Sequence, residues 1–291
     1  MMGLVRTIRL IRADPASLFS EMMVDRNYVV SFVNAHAINL ACRNAEFLSA
    51  LESSDLLLRD GVGLQLLLRA LGKDPALNMN GTDFIPELIL ASKSHLIALC
   101  GSTARSAATA AAWLEQNGAQ QITHCDGFRS PDYYVGLVKA LQPRVVILGM
   151  GMPKQELLSA RLARELPGPI LIVNGGAILD FLANRVRRAP RFMRKLGLEW
   201  VFRLILEPSR LWRRYLVGNL IFLWRTAQVM PLSTRNEGLS TAIAPAPFGC
   251  HFRWRMSQVS GPMRGYLPPV RVMKDGTNPR DEKNRTFRVC P

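Results

Sequence analysis

The chain has few cysteines and none in a useful pattern. Its five (Cys42, Cys100, Cys125, Cys250 and Cys290) include no Cys-x-x-Cys pair, and the odd count argues against a complete disulfide framework, so a reducing compartment fits best. Histidine is scarcer still, at four, and His36 has no second His or Cys at metal-ligand spacing; it reads as a surface or packed residue, and no metal site is expected. The uncharged run Tyr215 to Trp224 is too short to cross a bilayer. Arg6, Arg9 and Arg12 interrupt any apolar start, which argues against a signal peptide. No Gly-x-Gly-x-x-Gly follows the first expected strand, and Gly149-Met-Gly lacks a third glycine, which counts against a nicotinamide-dependent oxidoreductase. Acidic residues are also few, 22 against 37 Lys and Arg. Residues 185 to 225 carry 11 basic side chains against Glu199 and Glu207, a net of +9, and residues from 232 onward carry the other +6 of the total +15. The first 184 residues are therefore neutral. A nucleic-acid binder is disfavoured, because the basic cluster is interleaved with apolar residues and the core has no charge.

What is present is a repeated strand, glycine turn and helix. Arg144 to Leu148 is apolar on both faces, as a central parallel strand must be, and runs into Gly149-Met150-Gly151-Met152-Pro153-Lys154-Gln155-Glu156. Pro153 suits a first helical turn, and Glu156 the positive end of the helix dipole. After the breaker Pro167-Gly168-Pro169, a second strand over 170–173 ends in Asn174-Gly175-Gly176. Two such turns at the carboxyl ends of parallel strands mark the place where open α/β sheets bind ligands.

Further strands are expected at 28–33, 55–59, 95–99 and near 121–124, with helices at 37–43, 45–51, 64–71, 87–93, 104–116 and 131–141. The alternation predicts a doubly wound, mostly parallel Rossmann-like α/β sheet. Asn34, just past the first strand, either faces a ligand or caps the following helix. Asp60, at a strand-to-helix switch before Gly61 and Gly63, is either a catalytic carboxylate or an N-cap. Thr82 or Asp83 caps a helix with Pro86 and Glu87 in its first turn. Gly101-Ser102-Thr103 can hold a phosphate on backbone N–H groups, although no Walker lysine follows.

The expected organisation is a lead-in over 1–24, a catalytic core over 25–184, a basic amphipathic appendage over 185–231, and a disordered tail over 232–291 with its Ala-Pro-Ala-Pro and scattered Gly. In the appendage, arginines alternate with Trp200, Phe202, Trp212, Phe222 and Trp224. That pattern fits an interfacial element, apolar face in the lipid boundary and guanidinium groups at phosphates.

Asn34, Asp60-Gly61, Asn80-Gly81-Thr82-Asp83, the Gly149 to Glu156 turn, Asn174-Gly175-Gly176, and Arg188-Ala189-Pro190 through Gly197-Leu198-Glu199-Trp200 together resemble the WecG/TagA/CpsF family of bacterial glycosyltransferases over roughly residues 25 to 225. The resemblance implies an inverting transferase that moves a sugar, N-acetylmannosamine-type or hexose, from a UDP donor to a polyprenyl-diphosphate-linked sugar. It implies work at the inner face of the cytoplasmic membrane, against anionic lipid, in cell-surface polysaccharide synthesis, with no cofactor, no metal and no nucleic acid; homo-oligomerisation is left open. Asp60 matches the family's catalytic aspartate and Gln155 its active-site glutamine, while Arg203, Arg210 and Arg213 match the appendage arginines that reach the lipid diphosphate. Asn34, Thr82, Asp83, Gly101, Gly149, Gly151, Gly175 and Gly176 are expected to bind the donor. Two departures bear on donor choice: Phe32 where members often carry Thr, and Asn78 where some carry Arg. The chain has no Asp-x-Asp pair to hold a metal, so glycine turns and arginines must stabilise a departing diphosphate.

Overall fold

A computed structural model describes residues 1–186 and 188–229. The tail expected over 232–291 lies outside the described residues. The strands are β1 (Tyr28–Val33), β2 (Leu56–Arg59), β3 (Leu96–Gly101), β4 (Gln121–Cys125), β5 (Val145–Gly149) and β6 (Leu171–Asn174). They form one sheet in the order β2-β1-β6-β5-β3-β4, and every pairing is parallel. Alternate residues feed the two faces, as the two-residue repeat of a strand requires. Val145 and Ile147 enter one apolar cluster with Leu171 and Val173, whereas Val146 and Leu148 enter another with Ile172. The fold is the doubly wound α/β arrangement that the alternation of strand and helix implies.

Helices α1 (Met2–Thr7) and α2 (Ser17–Met22) precede the sheet. The stretch that the sequence leaves as an unpatterned lead-in belongs to the core. Leu4, Val5, Ile8, Ile11, Leu18 and Met22 are all buried, and the Arg9 backbone N–H bonds to Leu57 O at 2.9 Å, beside β2.

Helices α3 (Ala35–Ala41), α4 (Ala45–Glu52), α5 (Gly61–Ala70), α6 (Gly81–Ala91), α7 (Ala104–Gln116), α8 (Pro131–Leu141), α9 (Lys154–Glu165) and α10 (Ile178–Leu182) complete the core. One boundary moves far. Helix α6 begins at Gly81 rather than at Glu87, because Asn80 Oδ1 takes the Thr82 N–H at 2.8 Å and caps it there, leaving Pro86 inside the helix.

The basic segment folds into α11 (Arg191–Lys195), α12 (Glu199–Leu206), α13 (Pro208–Trp212), a π-helical turn (Arg213–Val217) and α14 (Gly218–Val229). Helix α14 packs on α3, and Phe222, 1% exposed, is a full member of a core cluster with Val33, Ile38 and Leu64. Asn39 donates from Nδ2 to Gly218 O at 2.6 Å. Space under this helix is tight: a Cβ on Gly63 would come within 2.9 Å of Ala35 Cβ and 3.5 Å of the Phe222 ring. The appendage is thus docked by apolar packing, while Ile205, Leu220 and Trp224 remain 68%, 68% and 63% exposed.

Candidate active site

A cleft of about 1330 Å³ lies over the carboxyl ends of the strands, and α12 to α14 supply its second wall. Among the expected site residues, Asn34, Asp60, Thr82, Gly149, Gly151, Gln155, Gly175, Gly176, Arg203 and Arg210 line it. Asp83, Gly101 and Arg213 do not.

Asp60 stands at the N-cap position of α5, yet its side chain makes no capping bond. Its backbone N–H bonds to Val33 O at 2.8 Å, which ties the turn to the end of β1. The turn is braced from two more sides. Asn78 Oδ1 accepts the Gly61 N–H at 2.7 Å, and the buried Arg59 donates to Gly61 O and Ala76 O, each at 3.1 Å. Asn34 takes the capping role, Oδ1 accepting from Ala37 N at 3.1 Å at the start of α3, while Nδ2 points to Asp60 Oδ2 at 3.5 Å. Burial raises the Asp60 carboxyl above its ordinary range, opposed by the Asn34 contact and by the guanidiniums of Arg203, Arg214 and Arg59. A held, partly desolvated carboxylate with raised proton affinity is suited to accept a proton.

Gln155 does something that its spacing did not reveal. Its Oε1 accepts from Gly151 N at 3.1 Å and from Gly176 N at 3.0 Å, so one buried amide joins the two glycine turns. Its Nε2 donates to Glu156 Oε1 at 2.8 Å. Gln155 therefore shapes the floor of the cleft. Glu156 stands in the first turn of α9, as the helix dipole favours, but is fully buried, and desolvation raises its carboxyl from 4.5 to about 7 despite the Gln155 bond. The raised value fixes a sign. The native state keeps this proton where the unfolded chain has lost it, so the group subtracts stability as pH rises from about 4.5 through about 7. Glu156→Gln should remove that slope, so that the melting temperature of the variant gains on the unsubstituted protein between roughly pH 5 and pH 8. Parallel melting curves across the range would contradict this.

The three residues outside the cleft have other work. Gly101 lies against Gly149, where a Cβ would come within 2.4 Å of the Gly149 carbonyl, so it allows close approach of two strand ends rather than contact with a ligand. The Asp83 carboxylate is engaged in an ion pair with Arg188. Arg213 is exposed, with its guanidinium 5.3 Å from the Trp212 ring centre. Its neighbour Arg214 lines the cleft instead, and burial there lowers its pKa. Arg203 is held over the Phe181 ring at 4.7 Å, and Arg210 pairs with Glu207 at 2.5 Å.

Several lining residues were not singled out as ligands from sequence. Besides Arg214, the cleft contains His36, whose ring is driven down to about 4 by burial and by Arg214 and Arg43, so it is neutral across the physiological range. Phe128 is 77% exposed, on a loop pinned by the Tyr134 hydroxyl, which donates to Asp126 O at 2.8 Å. Ser102 donates to Asp180 Oδ1 at 2.5 Å, and Arg185 reaches Thr103 Oγ1 at 3.3 Å, both beside the N-terminus of α7. Among the described residues, no three His, Cys, Asp or Glu side chains converge as metal ligands would, and no helix is long and apolar enough to cross a membrane.

A parallel sheet whose strand ends carry glycine turns, with a braced carboxylate and a wall of arginines facing it, is an open α/β fold with a candidate site where such sheets bind ligands. The chain belongs to the WecG/TagA/CpsF family of glycosyl transferases, whose family model matches residues 8–235. It is 26% identical over 181 residues, 60% of this chain and 70% of the relative, to the N-acetylglucosaminyldiphosphoundecaprenol N-acetyl-beta-D-mannosaminyltransferase of Bacillus spizizenii. To the enzyme of the same name from Bacillus subtilis (strain 168) it is 28% identical over 193 residues, 65% of this chain and 75% of the relative.

Proposed function

We infer that the protein is an inverting, UDP-sugar-dependent glycosyltransferase that extends a polyprenyl-diphosphate-linked sugar in cell-surface polysaccharide synthesis. The observation that carries this reading is the Asp60 carboxylate, free of capping duty, in a cleft whose other wall presents Arg203, Arg210 and Arg214. In the transfer step the acceptor hydroxyl oxygen bonds to the anomeric carbon while its proton passes to Asp60. The bond from that carbon to the diphosphate oxygen breaks on the opposite side, and UDP departs with the electron pair. The arginines of the facing wall stabilise the charge that develops on the leaving oxygen, since the Gly151 and Gly176 N–H groups are already bonded to Gln155 and the Gly175 N–H to Leu148 O. No metal is needed for this division of labour. The names of the two relatives support a lipid-diphosphate N-acetylglucosamine acceptor and an N-acetylmannosamine-type donor; Phe32, packed edge-on against Phe84 at 6.2 Å, and Asn78 are where donor choice would diverge. The exposed Ile205, Leu220 and Trp224 among the arginines support peripheral attachment to the anionic inner leaflet.

The test is a panel of UDP-sugars, with UDP-N-acetylmannosamine and UDP-glucose foremost, on a short-chain lipid diphosphate bearing N-acetylglucosamine, with and without excess EDTA. One donor should be transferred with inverted anomeric configuration, at a rate unchanged by chelation. Retention of configuration, or a rate abolished by EDTA and restored by Mn²⁺, would defeat the mechanism; no transfer from any donor would defeat the reading as a whole.

A further inference from the structure

The cleft holds a second carboxylate that the transfer step does not use. Glu199 opens α12, is half-buried, and lines the cleft from the appendage side. It makes no hydrogen bond and no ion pair with any described residue, although Arg203 and Arg188 are near enough to favour its charge and Asp60 and Asp83 near enough to oppose it. Desolvation is the largest influence on it and raises its proton affinity. A partly buried carboxylate without partners is unfavourable by itself, and its lone pairs are open to a ligand. Arg203 lies one helical turn further on, on the same face, stacked on Phe181.

The chemistry of the substrates narrows what this group can meet. This step rests on the transferase reading, in which the donor and the acceptor each carry a diphosphate. A carboxylate set against either diphosphate would be repelled, so it must face a neutral part, and the neutral parts rich in donors are sugar hydroxyls. The donor is held by the glycine turns of the core, and the reacting hydroxyl of the acceptor must reach Asp60 from the open side, where α12 stands. We propose that Glu199 is an acceptor-binding residue whose carboxylate accepts hydrogen bonds from hydroxyls of the acceptor's terminal sugar, so that the appendage, rather than the core, selects the acceptor.

The experiment uses the full chain with Glu199→Gln and Glu199→Ala. It measures three quantities with UDP-N-acetylmannosamine, or the donor that the panel selects, and the short-chain acceptor: KM for donor, KM for acceptor, and the slow release of UDP by hydrolysis when acceptor is absent. The acceptor KM should rise at least tenfold in Glu199→Ala and by less in Glu199→Gln, which retains one acceptor oxygen. Donor KM and hydrolysis should stay within about twofold. If donor KM and hydrolysis worsen by the same factor as the acceptor KM, Glu199 merely holds the arginines in place and the proposal is overturned. Unchanged acceptor KM in both variants overturns it as well. Should Glu199→Ala fold poorly, the isosteric Glu199→Gln decides. An unsubstituted enzyme that uses no donor in the panel removes the transferase reading and this proposal together, whereas an active enzyme indifferent to Glu199 removes only the proposal.

Discussion

Asp60→Asn should cut turnover by about a hundredfold or more while leaving UDP binding, measured by calorimetry, within a few fold of the unsubstituted enzyme. The asparagine keeps the shape of the side chain, the backbone bond to Val33 and the neighbourhood of Asn34, and loses the ability to take a proton together with the charge that faces Arg203, Arg214 and Arg59. Because burial disfavours the ionised carboxylate more than its neighbours favour it, the variant should melt no lower than the original protein, a combination of lost activity and retained stability typical of catalytic groups. Turnover within a few fold of the original would show that the proton leaves by another route.

The second large effect separates two adjacent arginines. Arg214→Ala should reduce turnover on the short-chain acceptor about a hundredfold, since it withdraws a preorganised, partly desolvated charge from the wall that faces the diphosphates. Arg213→Ala, which removes an exposed side chain resting on Trp212, should alter turnover by no more than a few fold in the same assay. Detergent-free buffer and a soluble acceptor keep membrane attachment out of the measurement. If Arg213→Ala is the more damaging of the two, the charge that serves the diphosphates is Arg213's and not Arg214's.

That pair also shows where sequence reading stops. The core strands were legible because a strand buried on both faces leaves an apolar run such as Val145 to Leu148, and the glycine turns that end them are local in sequence. Helices α7 and α8 were legible to the residue, with Thr103 and Ser130 as side-chain caps. The phase of the appendage was not. Successive residues of a helix face about a hundred degrees apart, and it is Arg214, four residues after Arg210, that lines the cleft where resemblance pointed to Arg213. The lead-in was opaque for another reason. Helices of six residues offer too few turns to display a period, and the burial of Leu4, Val5 and Ile8 depends on partners far along the chain. Asp60 and Asn34 were found by position, but whether each capped a helix could be settled only by where the side-chain oxygens point. The link from Gln155 to Gly151 and Gly176 had no local signature, because one of its two glycines is 21 residues away.

The seating of the Phe222 ring against Gly63, with Ala35 also close to that glycine, limits how members of this family can be recombined. A chimera joined at residue 184, with this chain's appendage placed on a relative's core, would transplant the aromatic plug without the small residues that make room for it. Such hybrids should fold only when positions 35 and 63 travel with the C-terminal segment, so the unit of exchange is discontinuous in sequence although the wall it builds is a single surface.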